Sequence, residues 1–133
     1  MDEKTYDKIL KQIEQFGIVH VHNYEEYRNA SNVIFNERFK KHNKSLNMLC
    51  YVSWELTYEQ LCDKNIQEKL NQMSIIQFCI DNWNKPVRVS NDRNNEIFTL
   101  VGLEKTEEDY YYILQRNDGS KRYETCVSKC EPV

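Results

Sequence analysis

The sequence predicts an α+β fold, with an N-terminal helical region over residues 1–85 packed on a small antiparallel β module over residues 86–133. Three observations predict it. Apolar residues recur every three to four positions through most of residues 3–83, the period of an amphipathic helix. After Pro86 the rhythm becomes a two-residue alternation, the period of a half-buried strand. Polar clusters rich in Asn, Asp and Gly then punctuate the alternating runs, as turns do between strands. The junction at Lys85 and Pro86 lacks the Gly/Ser/Pro richness of a flexible linker, so the two regions are expected to pack as one unit.

The first helix is predicted over residues 3–16, with Tyr6, Ile9, Leu10, Ile13 and Phe16 as its stripe. Asp2 is placed to cap it, and Gly17, free to adopt positive φ, to end it. Ile-Val-His-Val-His at 18–22 alternates too briefly to be more than an extended connector. Asn23 and Glu26 have the spacing of a capping box and open a second helix. Its buried side is expected to hold Tyr24, Tyr27, Val33 or Ile34, Phe35 and Phe39, and the helix to fade at 41–44. Residues 46–54 fit a strand and a helix equally well by period, and their helical surroundings favour a helix.

Thr57 and Gln60 form a capping box for a third helix, continued by Leu61, Cys62, Ile66, Leu70 and Met73, with a break expected at 63–65. Ile75, Ile76, Phe78, Cys79, Ile80 and Trp83 are apolar nearly all round, which predicts the most buried helix. Pro86 biases Lys85 away from α and closes the helical region. Beyond it, Val87 and Val89 make a short strand. Residues 97–103 make a second, with Gly102 at a bend or bulge. Residues 110–115 and 121–127 make a third and fourth, joined by the Asn-Asp-Gly-Ser turn at 117–120. The last six residues read as a short tail with one turn of 3₁₀ helix.

Composition narrows the function classes. Formal charge is −3 and evenly spread: residues 1–84 carry twelve acids against ten Lys and Arg, and residues 85–133 carry nine against eight. That is not the basic body of a general nucleic-acid binder. Five free cysteines and an N-terminus without an apolar signal core point to a reducing compartment, the cytoplasm. No apolar run is long enough to span a bilayer, so no membrane partner is expected. The abundance of Asn, Ile, Lys and Tyr, whose codons are A/T-rich, beside a single alanine points to a bacterial, phage or mobile-element origin.

PVRV (86–89), IFTLVGLE (97–104), YYYILQRNDG (110–119) and YETCVSK (123–129) follow one another as short strand, longer strand, strand, hairpin and strand. That order resembles an SH3-like or Tudor-like small barrel over the last third of the chain, with the fifth strand missing or reduced to residues 130–133. The resemblance implies a binding platform for peptides, modified side chains or nucleic acid.

Tyr110, Tyr111 and Tyr112, with Tyr123 on the neighbouring strand, form the best candidate binding surface, because strand alternation must send Tyr111 to the face opposite Tyr110 and Tyr112. A densely basic run, Arg38, Lys40, Lys41, His42 and Lys44, suits a helix C-terminus and is the candidate phosphate contact. His20, His22, Glu25 and Glu26 are the most metal-like cluster, with His20 and His22 on one side of an extended segment. They are far less constrained than a zinc motif, and Glu25 and Glu26 sit where the helix dipole welcomes acid. Cys126 and Cys130 make a single C-x3-C pair without a second knuckle. There is no phosphate-binding glycine loop, no nucleophile elbow and no H-E-x-x-H, and three glycines leave few places for a backbone cradle.

The leading expectation is therefore a non-enzymatic protein-binding or assembly module without a cofactor. It would use the strand tyrosines and helix-face aromatics such as Tyr24 and Tyr27. The alternative is a nucleic-acid-binding accessory protein using the β face and the run from Arg38. The third is a small metal- or thiol-dependent enzyme using His20 and His22 or Cys130.

Overall fold

The computed structural model describes residues 1–38, 50–90 and 92–133. Lys40, Lys41, His42 and Lys44, the expected helix end at 41–44 and residues 46–49 lie outside the described residues. Those described form five helices and seven strands, in the order α1 (Glu3–Phe16), β1 (Ile18–Val21), α2 (Tyr24–Arg38), β2 (Tyr51–Leu56), α3 (Tyr58–Leu61), α4 (Lys64–Leu70), α5 (Met73–Asn82), β3 (Pro86–Val89), β4 (Phe98–Lys105), β5 (Tyr110–Gln115), β6 (Lys121–Thr125) and β7 (Cys130–Pro132). The fold is α+β, and no helix among the described residues is long and apolar enough to cross a membrane.

Among the described residues every element from Pro86 onward is a strand, but strands β1 and β2 already precede it, and the compact units divide elsewhere. One unit comprises Met1–Trp54 with Lys105–Glu108, and the other Glu55–Glu104 with Asp109–Val133. Helices α3 to α5 thus share a unit with the strands that follow Pro86, so side-chain period marks a change of element type and not a boundary of packing.

In the first unit, Asp2 caps α1 by accepting from the Thr5 N–H at 2.8 Å. Gly17 (φ 71°) ends it, donating to the Ile13 carbonyl at 2.8 Å. Residues 18–21, expected as an extended connector, form strand β1, and residues 51–54, expected as helix, belong to strand β2. The two pair in parallel, Ile18 opposite Tyr51 and Val21 opposite Trp54. Parallel strands need a crossover, which the intervening chain with α2 supplies. A four-residue apolar run such as Ile-Val-His-Val cannot announce this by period alone.

The core of this unit gathers Ile13, Val19, Val21, Ala30, Val33, Ile34, Val52 and Trp54. Within it, the Tyr6 hydroxyl of α1 donates to the buried Glu37 carboxylate of α2. Two expected core residues are outside: Phe16 is 66% and Phe35 63% exposed. Phe16 occupies the last position of α1, where the chain turns at Gly17, and Phe35 follows the buried pair Val33 and Ile34 round the helix.

In the second unit, the Thr57 hydroxyl accepts from Gln60 N–H while the Gln60 side chain accepts from Thr57 N–H, the full capping box. The helix it opens is one turn long. Asp63 caps α4 anew through the Asn65 N–H, and Asn71 at φ 51° ends α4. Helix α5, expected as the most buried helix, buries Ile76, Cys79 and Asn82 along one stripe. Trp83 has left the helix, and its ring lies 5.7 Å from that of Tyr58.

The strands of this unit run in the order β7-β3-β4-β5-β6. β3 pairs antiparallel with β4 and with β7, and β5 antiparallel with β6. The tail expected as 3₁₀ helix is strand β7, Cys130 opposite Val89 and Pro132 opposite Val87. Gly102 is where Ile113 crosses β4: a Cβ there would lie 2.9 Å from Ile113 Cδ1. The glycine serves close approach and carries no positive φ.

Candidate binding surfaces

β5 sorts its three tyrosines by strand geometry. Tyr110 and Tyr112 are 9% and 6% exposed, whereas Tyr111 is half-buried. Tyr112 packs its ring 5.4 Å from Phe78 of α5 and fixes the hairpin to the helix. Burial raises the Tyr112 hydroxyl above its ordinary range. Tyr110 and Tyr112, expected as part of the binding set, are therefore core residues: the same alternation that makes Tyr111 accessible turns them inward.

On the other face, Tyr111 stands opposite Thr125 and Ile113 opposite Tyr123. Directly opposed residues share a face, so Tyr111 and Tyr123 are diagonal neighbours on one side of the β5–β6 hairpin. Tyr123 is 47% exposed, and Ile113 between them is buried against Gly102. Two aromatic rings are thus presented on a strand pair whose reverse side is anchored. The hairpin turn is closed by Gly119 (φ 87°) and by the Arg116 N–H donating to the Ser120 carbonyl at 2.9 Å.

The reverse side carries charge. Phe98 lies beneath two guanidinium groups, Arg116 at 5.4 Å and Arg122 at 5.5 Å from its centroid. Each is also paired, Arg116 with Glu96 at 2.8 Å and Arg122 with Glu124 at 2.9 Å.

Arg38, the one member of the basic run among the described residues, is engaged inside its own unit. It donates to the Cys50 carbonyl at 2.7 Å and to Glu107 at 2.9 Å, with Glu108 at 3.6 Å. Glu107 also accepts from the Val52 N–H at 2.9 Å. An arginine so committed is poorly placed to meet phosphate. Tyr24 and Tyr27, expected on the buried side of α2 and also named as binding aromatics, lean on the fully buried Trp54, at centroid separations of 6.3 and 5.5 Å. The Tyr27 hydroxyl donates to the Thr106 carbonyl at 3.1 Å, and Lys105 Nζ stands 5.6 Å from the Tyr27 ring centroid. Sequence reasoning missed Lys105, Thr106 and Glu107, because their partners are local neighbours of nothing in the chain.

His20, His22 and Glu26 do line one cavity, of about 290 Å³. Among the described residues, however, no three His, Cys, Asp or Glu side chains come together in a way that would hold a metal ion. In the second unit Cys79, Cys126 and Cys130 lie close enough to influence one another. Burial pushes the Cys126 thiol up to about 12 and the Cys130 thiol up to about 11. Such thiols are held protonated at neutral pH, the opposite of what a nucleophilic or redox cysteine needs.

Compared with known proteins, the chain matches no family model, no curated protein and no solved structure.

Proposed function

We propose that the protein is a binding module that captures a protein partner on the outer face of the β5–β6 hairpin, with Tyr111 and Tyr123 as anchors. One observation carries this reading: two rings share the accessible side of a hairpin whose other side is fixed by Tyr110, Tyr112 and Leu114. Tyrosine supplies a large amphipathic contact at little cost in side-chain entropy, which is why it is enriched in protein interfaces. Anchoring of the reverse face keeps the rings preorganised.

The SH3-like reading of the strands after Pro86 belongs to the same proposal. What supports it is the order β7-β3-β4-β5-β6, in which the last strand returns to lie beside the first. A reducing compartment belongs to it too, supported by five cysteines that form no disulfide.

The test is affinity capture from extract of the native host, with and without nuclease, using wild-type protein and the double variant Tyr111→Ser/Tyr123→Ser. Capture of a defined protein that withstands nuclease and is lost in a variant with unchanged circular dichroism is the expected result. Capture that the variant retains in full overturns the proposed surface. Capture that disappears with nuclease replaces the protein partner by nucleic acid stacked on the same rings.

A further inference from the structure

Among the described residues β5 is the strand that pairs with β6, so β6 ends the strand order of the second unit. Which backbone groups face its outer edge follows from the ladder. Cys126 N–H donates to the Tyr110 carbonyl at 3.0 Å, and Arg116 N–H to the Ser120 carbonyl at 2.9 Å. Both pairs continue the β5–β6 register, in which Tyr112 stands opposite Glu124 and Leu114 opposite Arg122. Hydrogen-bonded and non-hydrogen-bonded pairs alternate along an antiparallel ladder. Arg122 and Glu124 therefore direct their backbone groups to β5, while Lys121, Tyr123 and Thr125 aim theirs at the outer edge. The Thr125 carbonyl bears out the direction: it accepts from the Ser128 N–H at 3.1 Å, outside the hairpin.

The side chains along this edge run Lys121, Arg122, Tyr123, Glu124, Thr125. A short strand that carries lysine is ordinarily a blunted edge. The order of these five residues adds something, because it is complementary to itself about Tyr123. Laid antiparallel against a second β6 with Tyr123 opposite Tyr123, it sets Arg122 opposite Glu124, Glu124 opposite Arg122, and Lys121 opposite Thr125. Opposite charges facing each other stabilise an antiparallel pair, and like charges destabilise it. A register centred one residue either way would set Arg122 on Arg122 or Glu124 on Glu124, and would bring to the axis backbone groups already turned to β5. Charge order and backbone phase thus select the same centre. Within one chain Arg122 and Glu124 are joined at 2.9 Å, and a second copy closes two such pairs into a ring of four alternating charges. The cavity of about 460 Å³ beside this strand takes Arg122 and Glu124 from β6 and none of Lys121, Tyr123 and Thr125, so it lies over one face of the strand. Its other charges, Asp92, Arg93 and Lys129, come from the loop after β3 and the turn before β7.

We propose that the occupant of this edge is a second copy of the chain, joined β6 to β6 about a two-fold axis at Tyr123. The two Tyr123 residues exchange N–H···O=C bonds, and each Thr125 N–H donates to the Lys121 carbonyl of the other copy. A two-fold contact needs one patch that complements itself, which this strand supplies. A different partner would have to bring the reversed charge order independently. The contact is short, so the dimer forms at high concentration and dissociates on dilution. Directly opposed residues share a face, so the two Tyr123 rings stand side by side on the outer face of the hairpin, and the proposed capture surface is doubled and not covered.

The experiment is a dilution series of the full-length protein from about 1 mM to about 10 μM, the range of a small contact, followed by sedimentation velocity and amide NMR. The expected result is a monomer–dimer transition whose concentration-dependent shifts centre on the amides of Lys121, Tyr123 and Thr125. Arg122→Glu and Glu124→Arg each set like charges opposite one another, and each should weaken self-association about tenfold. An equimolar mixture of the two variants restores opposite charges across the axis and should regain the dimer, as should Arg122→Glu/Glu124→Arg in one chain. Circular dichroism checks that each variant is folded, and the regain in the mixture is a result that misfolding cannot produce. A chain that stays monomeric at the highest concentration, a dimer whose shifts lie away from β6, or a mixture that associates no better than either variant alone overturns the inference. Both substitutions leave Tyr111 and Tyr123 in place, so capture of a partner from extract is read separately.

Discussion

The carboxylate of Glu107 is shared with Arg38: one oxygen accepts from the guanidinium at 2.9 Å, and the other accepts from the Val52 N–H at the same distance. With the Glu107 side chain only 12% exposed, this is more than a surface pair. Removing the acid leaves the Val52 N–H without that acceptor and Arg38 short of a counter-charge. Glu107→Ala should cost about 2 kcal/mol, the scale of hydrogen bonds to charged groups. Glu107→Gln keeps an acceptor for Val52 and should cost about half that. Urea denaturation of both variants checks the ranking.

Gly102 marks the tightest approach in the second unit, since an added Cβ would meet Ile113 Cδ1 at 2.9 Å. Gly102→Ala should destabilise by about 1–2 kcal/mol through overpacking. Shortening the opposing side chain removes the offending methyl. The double variant Gly102→Ala/Ile113→Val should therefore lose less than the sum of the two single losses. A double-mutant cycle by chemical denaturation measures that coupling, and strict additivity would count against the contact.

The capping box of Thr57 and Gln60 opens a helix of only four residues. Short helices have little cooperativity of their own, so the cap holds a large share of α3 in place. Thr57→Ala should cost about 1 kcal/mol, and Thr57→Asn considerably less. Thermal melts of the two variants distinguish a cap from a merely exposed threonine.

The raised thiols give a pH dependence with a definite sign. Unfolded cysteine ionises near the ordinary value of 9.0, whereas Cys126 in the folded protein does so at about 12 and Cys130 at about 11, burial being the main cause. Below pH 9 both states keep the thiol proton, and the groups' full contribution to stability is present. As pH rises from 9 the unfolded chain releases its protons first, so stability falls until the folded thiols also ionise. Denaturation midpoints measured from pH 8 to 10.5 should decline, and Cys130→Ala should flatten the decline. At pH 8, iodoacetamide should modify the exposed Cys62 first and the buried Cys79 only on unfolding.

Local grammar was legible in the sequence and distant pairing was not. Asp2, Gly17, the Thr57–Gln60 box, the bounds of β5 and the turn ending at Gly119 all obey rules confined to a few neighbouring residues. The same alternation rule placed Tyr111 apart from Tyr110 and Tyr112. β1 was too short to fix a period beside two helices, and β2 fitted a helix as well as a strand, so its helical surroundings misled. Cys-Glu-Pro in particular has no strand pattern and is extended by its partner Val87–Val89. Arg38 was read as a helix-end cation, an adequate local account that hid its pairing with an acid 69 residues away.

The turn Lys105–Glu108 completes the first compact unit although it is made long after the rest of it. Tyr27 waits for a carbonyl 79 residues downstream, and Val52 for a carboxylate 55 residues downstream. On the ribosome, then, the N-terminal unit emerges with an acceptor missing, and closure must await synthesis of nearly the whole chain. Contacts of such separation slow folding. A nascent fragment ending at residue 54 should remain protease-sensitive, and supplying the turn in trans as a peptide would have to replace a loop-closure advantage that the intact polypeptide enjoys.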